Sequence, residues 1–344
     1  WGTDRPRATI EACRARGCYA PAEGILHKLP RCGSYRNVTA VASLSGHRLV
    51  SCTSDGCVAL WDASRGGDAV AKLQICPQGD AIAVLADGHR VAIGTTKYNT
   101  GTDRAVGGGI VMWDTNTASG ATPASIDWGV GVCQLAVLHN GHLVAGCQDG
   151  TLRVVDADAG AVVATLEGHA NAAAAYRFDS GVRALAVLLD GRVASTTRGP
   201  MVWVWDVGKR ACGDTLMGHT SSVAALAVLP DGLLASGSSD NTVRLWDTRG
   251  SRSTCIISLF AGYSVSALTV LPGGRLASAS WASKLMVWDT RNASSVLRPP
   301  VALTLQCVCT SVLVPLPGGR LATGGTIGSV RLWQLPPDVV PVPL

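Results

Sequence analysis

The stretch SGSSDNTVRLWDTR, residues 236–249, joins a tight turn to an amphipathic strand. Its cluster of Ser, Asp and Asn favours a turn, because these side chains hydrogen-bond to their own backbone. The residues that follow alternate between apolar and polar types and end on Trp246–Asp247. Such alternation predicts a β-strand with one buried face. Arg249 follows the pair by two residues, and the stretch is either a local coincidence or one copy of a repeat.

The Trp-Asp pair recurs along the chain at a nearly constant spacing. Neighbouring copies, two of them degenerate, lie about 41 to 52 residues apart, which is near the period of repeats built from four strands. The copies are Trp61–Asp62, Trp113–Asp114, Val155–Asp156, Trp205–Asp206, Trp246–Asp247, Trp288–Asp289 and Trp333–Gln334. They predict seven structural units.

A second mark, a hairpin pattern, recurs at the same spacing as the Trp-Asp pair. VLPDGLLAS at 228–236 and VLPGGRLAS at 270–278 each place a glycine-containing turn between two apolar runs. Glycine supplies the positive φ that a tight hairpin turn needs. Each unit therefore reads as four short strands, and one such sheet alone leaves its apolar faces exposed. Stacking the units around a ring buries those faces.

The two marks together resemble those of the WD-repeat family over residues 24–335. The resemblance implies an all-β fold, a seven-bladed β-propeller of four-stranded antiparallel blades. It also implies that one terminus supplies the outer strand of the last blade, and residues 24–29 are the candidate, beside SVRLWQ at 329–334. We expect an N-terminal extension, residues 1–23, and a proline-rich tail, residues 336–344, to lie outside the ring.

In this family a hydrogen-bonded set of four residues satisfies the buried indole N–H of the repeat. The resemblance assigns that role here to His219, Ser236, Asp240 and Trp246, and only this unit carries all four. Ser, His and Asp together also suggest a catalytic triad, but no oxyanion-hole element accompanies them. His169 has the same Gly-His context without the aspartate, so we expect its loss to cost less stability than the loss of His219.

Composition argues against several classes of function. A formal net charge of +5 without a basic run does not favour nucleic-acid binding, and no apolar stretch is long enough to span a bilayer. The 12 cysteines form no paired framework, which predicts free, reduced thiols. Cys13, Cys18 and Cys32 lack a fourth zinc ligand in register. We therefore predict no enzymatic activity, no cofactor and no metal.

The loops of a propeller alternate between two faces. Loops from an outer strand to the next inner strand share the top face with loops between second and third strands, and two insertions fall there, residues 95–109 and 167–181. Aromatic residues and arginine are the usual anchors of protein interfaces, although each aromatic can instead pack over its own blade. We predict that a partner protein contacts Tyr98, Arg104, Trp128, Tyr176, Arg177, Arg198, Tyr263 and Trp281.

Arg249 raises a second hypothesis. The stretch that ends on it is similar to the docking box of substrate receptors of the cullin-4 ubiquitin ligases, in which the arginine after Trp-Asp contacts the ligase adaptor. Arg291 matches only at the end of the box, because Ala282 replaces the turn aspartate. The alternative is that each arginine is solvated or pairs with a nearby carboxylate.

Two functions stay open from the sequence. The first is a non-catalytic protein–protein interaction scaffold, a subunit of a larger intracellular assembly. The second is a substrate receptor of a cullin-RING ubiquitin ligase that docks through Arg249. We expect a cytoplasmic location, with an organelle as the alternative because the chain begins at Trp1 and not at Met.

Overall fold

The computed structural model describes ten stretches of the chain, residues 37–64, 67–75, 78–98, 105–117, 124–169, 181–250, 252–280, 284–290, 312–325 and 330–335. For residues 18–19, 25–28, 301–304 and 310–311 it describes the backbone alone. The regular elements bounded within these residues are 29 strands. The prediction of an all-β fold is confirmed.

Seven sheets, the blades, follow one another along the chain, and each contains four antiparallel strands. Two short strands precede them, β1 (Cys18–Tyr19) and β2 (Ile25–Lys28). The strands of blades 1 to 3 are β3 (Val38–Leu44), β4 (Arg48–Thr53), β5 (Cys57–Asp62), β6 (Ala71–Gln74), β7 (Gln78–Val84), β8 (Arg90–Tyr98), β9 (Ala105–Asp114), β10 (Ala124–Asp127), β11 (Val132–Val137), β12 (Leu143–Cys147), β13 (Leu152–Asp156) and β14 (Ala161–Leu166).

Blades 4 to 6 repeat this order, and blade 7 contributes three strands from the C-terminal part of the chain. These strands are β15 (Ala184–Val187), β16 (Val193–Thr196), β17 (Val202–Asp206), β18 (Ala211–Leu216), β19 (Val223–Val228), β20 (Leu234–Ser238), β21 (Thr242–Asp247), β22 (Thr254–Phe260), β23 (Val265–Val270), β24 (Leu276–Ser280), β25 (Lys284–Trp288), β26 (Val301–Thr304), β27 (Thr310–Leu316), β28 (Arg320–Gly325) and β29 (Val330–Gln334).

The ring closes between blades 7 and 1. The first strand of each blade contacts the first strand of the next all the way round, including β27 against β3. Blade 7 takes its fourth strand from the N-terminal part of the chain: β2 runs antiparallel to β29, with Ile25 opposite Trp333 and Lys28 opposite Arg331. The predicted closure by residues 24–29 is confirmed.

Part of the N-terminal extension joins a blade. The strand β1 pairs in parallel with β26 and adds a fifth strand to blade 6, with Cys18 opposite Ala302 and Tyr19 opposite Leu303. These two residues therefore differ from the expectation that residues 1–23 lie outside the ring. A two-residue strand is too short to show the alternation from which strands are predicted. The proline-rich tail lies outside the described residues.

The apolar core of the described residues is divided among the seven junctions between neighbouring blades. Each junction holds a cluster of buried side chains from two adjacent blades. At the junction of blades 4 and 5, for example, Val204 and Leu216 meet Val223 and Trp246. Burial of apolar surface is the main favourable term in folding. Since every cluster needs two blades, no blade completes a core alone.

A glycine in the second strand lets neighbouring blades approach closely. A Cβ atom on Gly237 of blade 5 would lie 2.4 Å from Val265 Cγ1 of blade 6, a distance that core packing does not tolerate. At the junction of blades 1 and 2 the sizes are reversed, because Cys52 replaces the glycine and Gly79 the valine. Three further glycine–valine contacts of the first kind are Gly94 with Val132, Gly146 with Val182 and Gly324 with Val38.

Among the described residues, Cys57 differs from the prediction of free thiols, because it is disulfide-bonded. Burial raises the pKa of the Cys52 thiol to about 12 and that of Cys147 to about 11. Both thiols therefore stay protonated and unreactive at neutral pH. The free cysteines in the described part of the chain are Cys52, Cys133, Cys147, Cys212 and Cys255.

Gly237→Ala is expected to lower the free energy of unfolding by about 1–3 kcal/mol, the usual cost of overpacking a core. Gly213→Ala is the matched control and should be neutral or slightly stabilising, because a Cβ there meets nothing closer than 3.7 Å. Val265→Ala removes the methyl groups that clash, so the double variant at residues 237 and 265 should lose less than the sum of its single changes. Urea unfolding measures all four variants. Equal effects of alanine at residues 213 and 237 would contradict the close approach.

Candidate functional site

Four side chains of blade 5 form a buried hydrogen-bonded chain, the blade 5 network. The Trp246 indole Nε1–H donates to Ser236 Oγ at 2.8 Å. Ser236 Oγ lies 2.7 Å from His219 Nε2, and His219 Nδ1 lies 2.7 Å from Asp240 Oδ2. The structure thus brings together the four residues to which the resemblance assigned this role.

The charges of the blade 5 network follow from its burial. Burial lowers the pKa of His219, although the neighbouring Asp240 opposes the change, so the ring is neutral at pH 7. Burial also opposes ionisation of Asp240, but hydrogen bonds from Thr242, His219 and the Thr220 N–H outweigh it and lower the pKa to about 2. A neutral ring donates from Nδ1 to the carboxylate and accepts the Ser236 proton at Nε2. Ser236 has no exposed surface, so the network stabilises the blade and offers no accessible nucleophile.

The bond from indole to hydroxyl recurs in other blades, each time to the residue ten positions earlier. Blade 3 has neither partner, because Val155 replaces the tryptophan and Ala145 replaces the residue with the hydroxyl group. Removing both partners of a buried hydrogen bond leaves no unsatisfied group. The recurring bonds are Trp61 to Ser51, Trp205 to Ser195, Trp288 to Ser278 and Trp333 to Thr323.

His169 has a second partner that its sequence context does not reveal. Its Nε2 lies 2.8 Å from Ser195 Oγ, and its Nδ1 lies 2.6 Å from the Gly150 carbonyl oxygen. A backbone carbonyl thus takes the place of the missing aspartate. The ring has no exposed surface and contacts Trp203 and Trp205 edge-on, with ring centroids 4.7 and 4.9 Å away. The reason for expecting a smaller loss at His169 than at His219 therefore no longer holds.

Tyr98 and Arg198 come together at the top-face mouth of the central channel. They line a depression of about 440 Å³ with Asp80, Arg183 and residues at the start of the first strands. Tyr98 is 39% exposed, and Arg198 is exposed as well. Two of the predicted contact residues therefore share one concave surface.

Asp80 is a channel residue that the repeat pattern does not predict. It occupies a β-bulge of β7, between Gly79 and Ala81, and bulges often re-aim a side chain. Burial raises the pKa of its carboxyl group to about 6, despite a 2.9 Å hydrogen bond from Gln78 Nε2. The signal that could have identified it is an aspartate within an inner strand, QGDAIAV.

The other predicted contacts divide into two kinds among the described residues. Trp128 is half-buried against the cluster between blades 2 and 3, with Arg153 Cζ 5.7 Å from its ring centroid, so it matches the alternative of packing within the ring. Tyr263 is 42% exposed, and Lys284 Nζ lies 4.5 Å from its ring centroid. The predicted contacts outside the described residues are Arg104, Tyr176, Arg177 and Trp281.

Arg249 lies on the bottom face, which carries the hairpins between first and second strands and the turns between third and fourth strands. Its Nε and Nη2 each donate to one carboxylate oxygen of Asp247 at 2.9 Å, and its Nη1 donates to the Asp231 carbonyl at 3.2 Å. These hydrogen bonds lower the pKa of Asp247 to about 2. The Arg249 side chain is still 59% exposed. Arg291 lies outside the described residues.

Comparison with known proteins agrees with this geometry. The crystal structure of the WD40 beta propeller domain of Doa1 is similar, with a TM-score of 0.70, over 90% of this chain and 96% of that chain. Sequence identity is 20%, so the likeness concerns the fold. The family described as "WD domain, G-beta repeat" matches residues 26–62 and 210–247. The chain is a WD-repeat β-propeller. No curated protein matches it by sequence.

This WD-repeat propeller carries an apolar feature on its outer rim that the sequence did not predict. Met217 is 70% exposed and Phe260 is 71% exposed. They occupy corresponding positions, since Met217 directly follows β18 of blade 4 and Phe260 is the last residue of β22 of blade 5. Exposed large apolar side chains therefore recur at one position of the outer strand on two neighbouring blades.

The described residues of the propeller contain neither a metal-binding cluster nor a membrane-spanning helix. No cluster of three or more His, Cys, Asp or Glu side chains among them has an arrangement that could hold a metal ion. No helix in this part of the chain has the length and apolar character needed to cross a membrane. The side chains of Cys13, Cys18 and Cys32 lie outside the described part of the chain.

His219→Ala is expected to destabilise the propeller by about 1–3 kcal/mol, because it removes one buried hydrogen-bond partner from each of Ser236 and Asp240. His169→Ala should cost a comparable amount, since it leaves Ser195 and the Gly150 carbonyl in the same position and opens a cavity beside two indole rings. Thermal unfolding of both variants measures this. A clearly smaller loss at His169 would show that the carbonyl does not replace the aspartate.

The stability of the propeller should fall as the pH drops below about 6.5, the ordinary pKa of histidine. Burial lowers the pKa of both His169 and His219, so the unfolded chain binds protons that the folded chain does not, and acid favours unfolding. The loss is at most about 1.4 kcal/mol per pH unit and histidine. Asp240, with a folded pKa of about 2, adds a further loss as the pH falls through about 4 towards 2.

The measurement is the melting temperature between pH 8 and pH 5, compared with that of His169→Gln. The variant lacks one titrating group, so its melting temperature should fall less over this range. Parallel curves for the two proteins would contradict the neutral, buried state of His169.

Proposed function

We propose that this WD-repeat propeller is a non-catalytic scaffold for protein–protein interaction, a subunit of a larger intracellular assembly that holds its partner on the top face. The observation that supports this most directly is the shared concave surface of Tyr98 and Arg198 at the channel mouth. Strand positions in a propeller are fixed by packing between blades, so recognition falls to loops and strand ends.

The chemistry of the channel mouth favours a protein partner. Tyrosine supplies a rigid contact surface that loses little conformational entropy, and arginine supplies directional hydrogen bonds. Asp80 and Arg183 place charges of both signs in the lining of the same depression, which suits the mixed charges of a polypeptide better than a uniformly anionic nucleic acid.

Loss of the channel-mouth anchors should weaken partner binding without affecting the fold. The test begins with proteins that copurify with the full chain, and the variant is Tyr98→Ala/Arg198→Ala. If the pair anchors the interface, affinity for the top-face partner should fall by about 2 kcal/mol or more, with little change in melting temperature. Trp281→Ala carries the same prediction, although this residue lies outside the described part of the chain.

Lys209→Ala is the matched control for this experiment. Lys209 belongs to blade 4, as Arg198 does, but its side chain is 81% exposed in a turn of the bottom face. Its loss should leave the partner set unchanged. Retention of every partner by the Tyr98→Ala/Arg198→Ala variant would contradict a top-face site.

The second candidate function is a substrate receptor of a cullin-RING ubiquitin ligase. It draws support from the exposure of the Arg249 guanidinium on the bottom face, although both Asp247 oxygens already pair with it. A pull-down with Arg249→Ala separates the two functions. Loss of one ligase adaptor with retention of the other partners favours the receptor, and an unchanged partner set favours the scaffold.

A further inference from the structure

A basic residue is either the first residue of the second strand or directly precedes it in nearly every blade, just after the bottom-face hairpin. The register of the second and third strands shows that the residues are equivalent. Six blades have arginine or histidine at this position, and blade 5 has Leu233 instead. The six basic residues are Arg48, Arg90, His142, Arg192, Arg275 and Arg320.

Four of the arginines reach the next blade, at the turn between its third and fourth strands. Arg320 Nη1 donates to the Ala63 carbonyl at 3.1 Å, and its Nη2 donates to His47 Nδ1 at 3.2 Å. Arg192 Nη2 donates to the Thr248 carbonyl. The other two contacts are Arg48 Nη1 to Asn116 Oδ1 and Arg90 Nη1 to Asp158 Oδ1. The guanidinium therefore clamps one blade to the next at these junctions.

The junction of blades 5 and 6 lacks this clamp and contains a cavity. Leu233 has no donor and packs instead in the apolar cluster with Leu229 and Trp288. The cavity measures about 450 Å³. Its lining residues are Leu229, Pro230, Asp231, Gly273, Gly274 and Thr290.

The cavity coincides with the place that a guanidinium occupies elsewhere in the ring. Gly274 and Thr290 are the counterparts in blade 6 of His47 and Ala63, the two residues that Arg320 contacts in blade 1. Thr290 is also the counterpart of Thr248, whose carbonyl accepts from Arg192. The junction of blades 5 and 6 thus keeps the acceptor position and lacks the donor.

The junction of blades 5 and 6 also has a carboxylate, Asp231, without the arginine that pairs with its counterpart in blade 4. Asp190 in blade 4 pairs with Arg192 at 2.6 Å, and its counterpart in blade 5 is Asp231, two residues before Leu233. Arg249 lies near, but its donors go to the Asp247 carboxylate and to the Asp231 backbone carbonyl. The Asp231 carboxylate therefore remains as a negative charge at the edge of the cavity.

We propose that this cavity binds an arginine side chain of a partner protein. The guanidinium takes the place of the missing clamp, between the Thr290 carbonyl and the Asp231 carboxylate. The methylene stem lies against Leu229 and Pro230, as long charged side chains pack on apolar surface. The site is on the bottom face, so it is a second docking point, and it does not depend on the top-face proposal.

The test uses N-acetyl-L-arginine amide as the probe and saturation-transfer NMR on the full chain as the readout. N-acetyl-L-citrulline amide has nearly the same shape without the charge, and it should bind at least about tenfold more weakly, since a charged hydrogen bond is worth about 1.5–3 kcal/mol. Equal binding of the two probes, or tighter binding of N-acetyl-L-leucine amide, would overturn the proposal.

Variants test whether the probe binds at the junction of blades 5 and 6. Leu233→Arg supplies the clamp from within the chain and should abolish binding, whereas His142→Arg, at the equivalent position of blade 3, should leave it unchanged. Asp231→Asn keeps the acceptor for the Leu233 N–H but removes the charge, so it should weaken binding even if Leu233→Arg does not fold. Undiminished binding to Asp231→Asn would overturn the proposal.

Discussion

The contact between neighbouring blades is the interaction on which the rest of the structure depends. A four-stranded sheet here has apolar side chains on both faces, and each face is covered only by the next blade. The approach of Val265 to Gly237 shows how close that contact is, because a single added carbon on the glycine would clash with the valine. The closing strand β2 extends this dependence to the whole ring. It completes blade 7, to which the C-terminal part of the chain contributes only three strands. Stability is therefore a property of the whole ring.

The spacing of the Trp-Asp pairs and hairpins predicts the seven units, because both patterns consist of local turn residues and alternation. The closing strand followed from the resemblance to the WD-repeat family. The blade 5 network was assigned through the same resemblance, which matches His219 and Asp240 to positions of the family pattern. Contacts between distant parts of the chain could not be predicted in either way. The Gly150 carbonyl beside His169 is invisible to side-chain patterns, and neither the pairing of β1 nor the disulfide at Cys57 has a local signal.

The two faces of the ring differ in what a repeat can reveal. On the top face, the predicted contacts lie where loops depart from the repeat, and of those that the structure describes, Tyr98 and Arg198 line the channel mouth. On the bottom face, the informative departure is a single leucine. Leu233 is unremarkable as a sequence letter in an apolar strand. Its importance follows from the contacts of Arg192 and Arg320, the equivalent residues at other junctions, which donate to backbone carbonyls of the next blade.

Hydrogen exchange of the full chain, followed by mass spectrometry, tests most directly whether packing between blades makes the ring one cooperative unit. Amides in the second and third strands should open together, with one free energy shared by every blade, because no cluster survives the loss of either of its blades. The protection of these strands should fall in parallel as urea is added. A group of blades that exchanges through its own opening at lower free energy, while the others stay protected, would contradict the account.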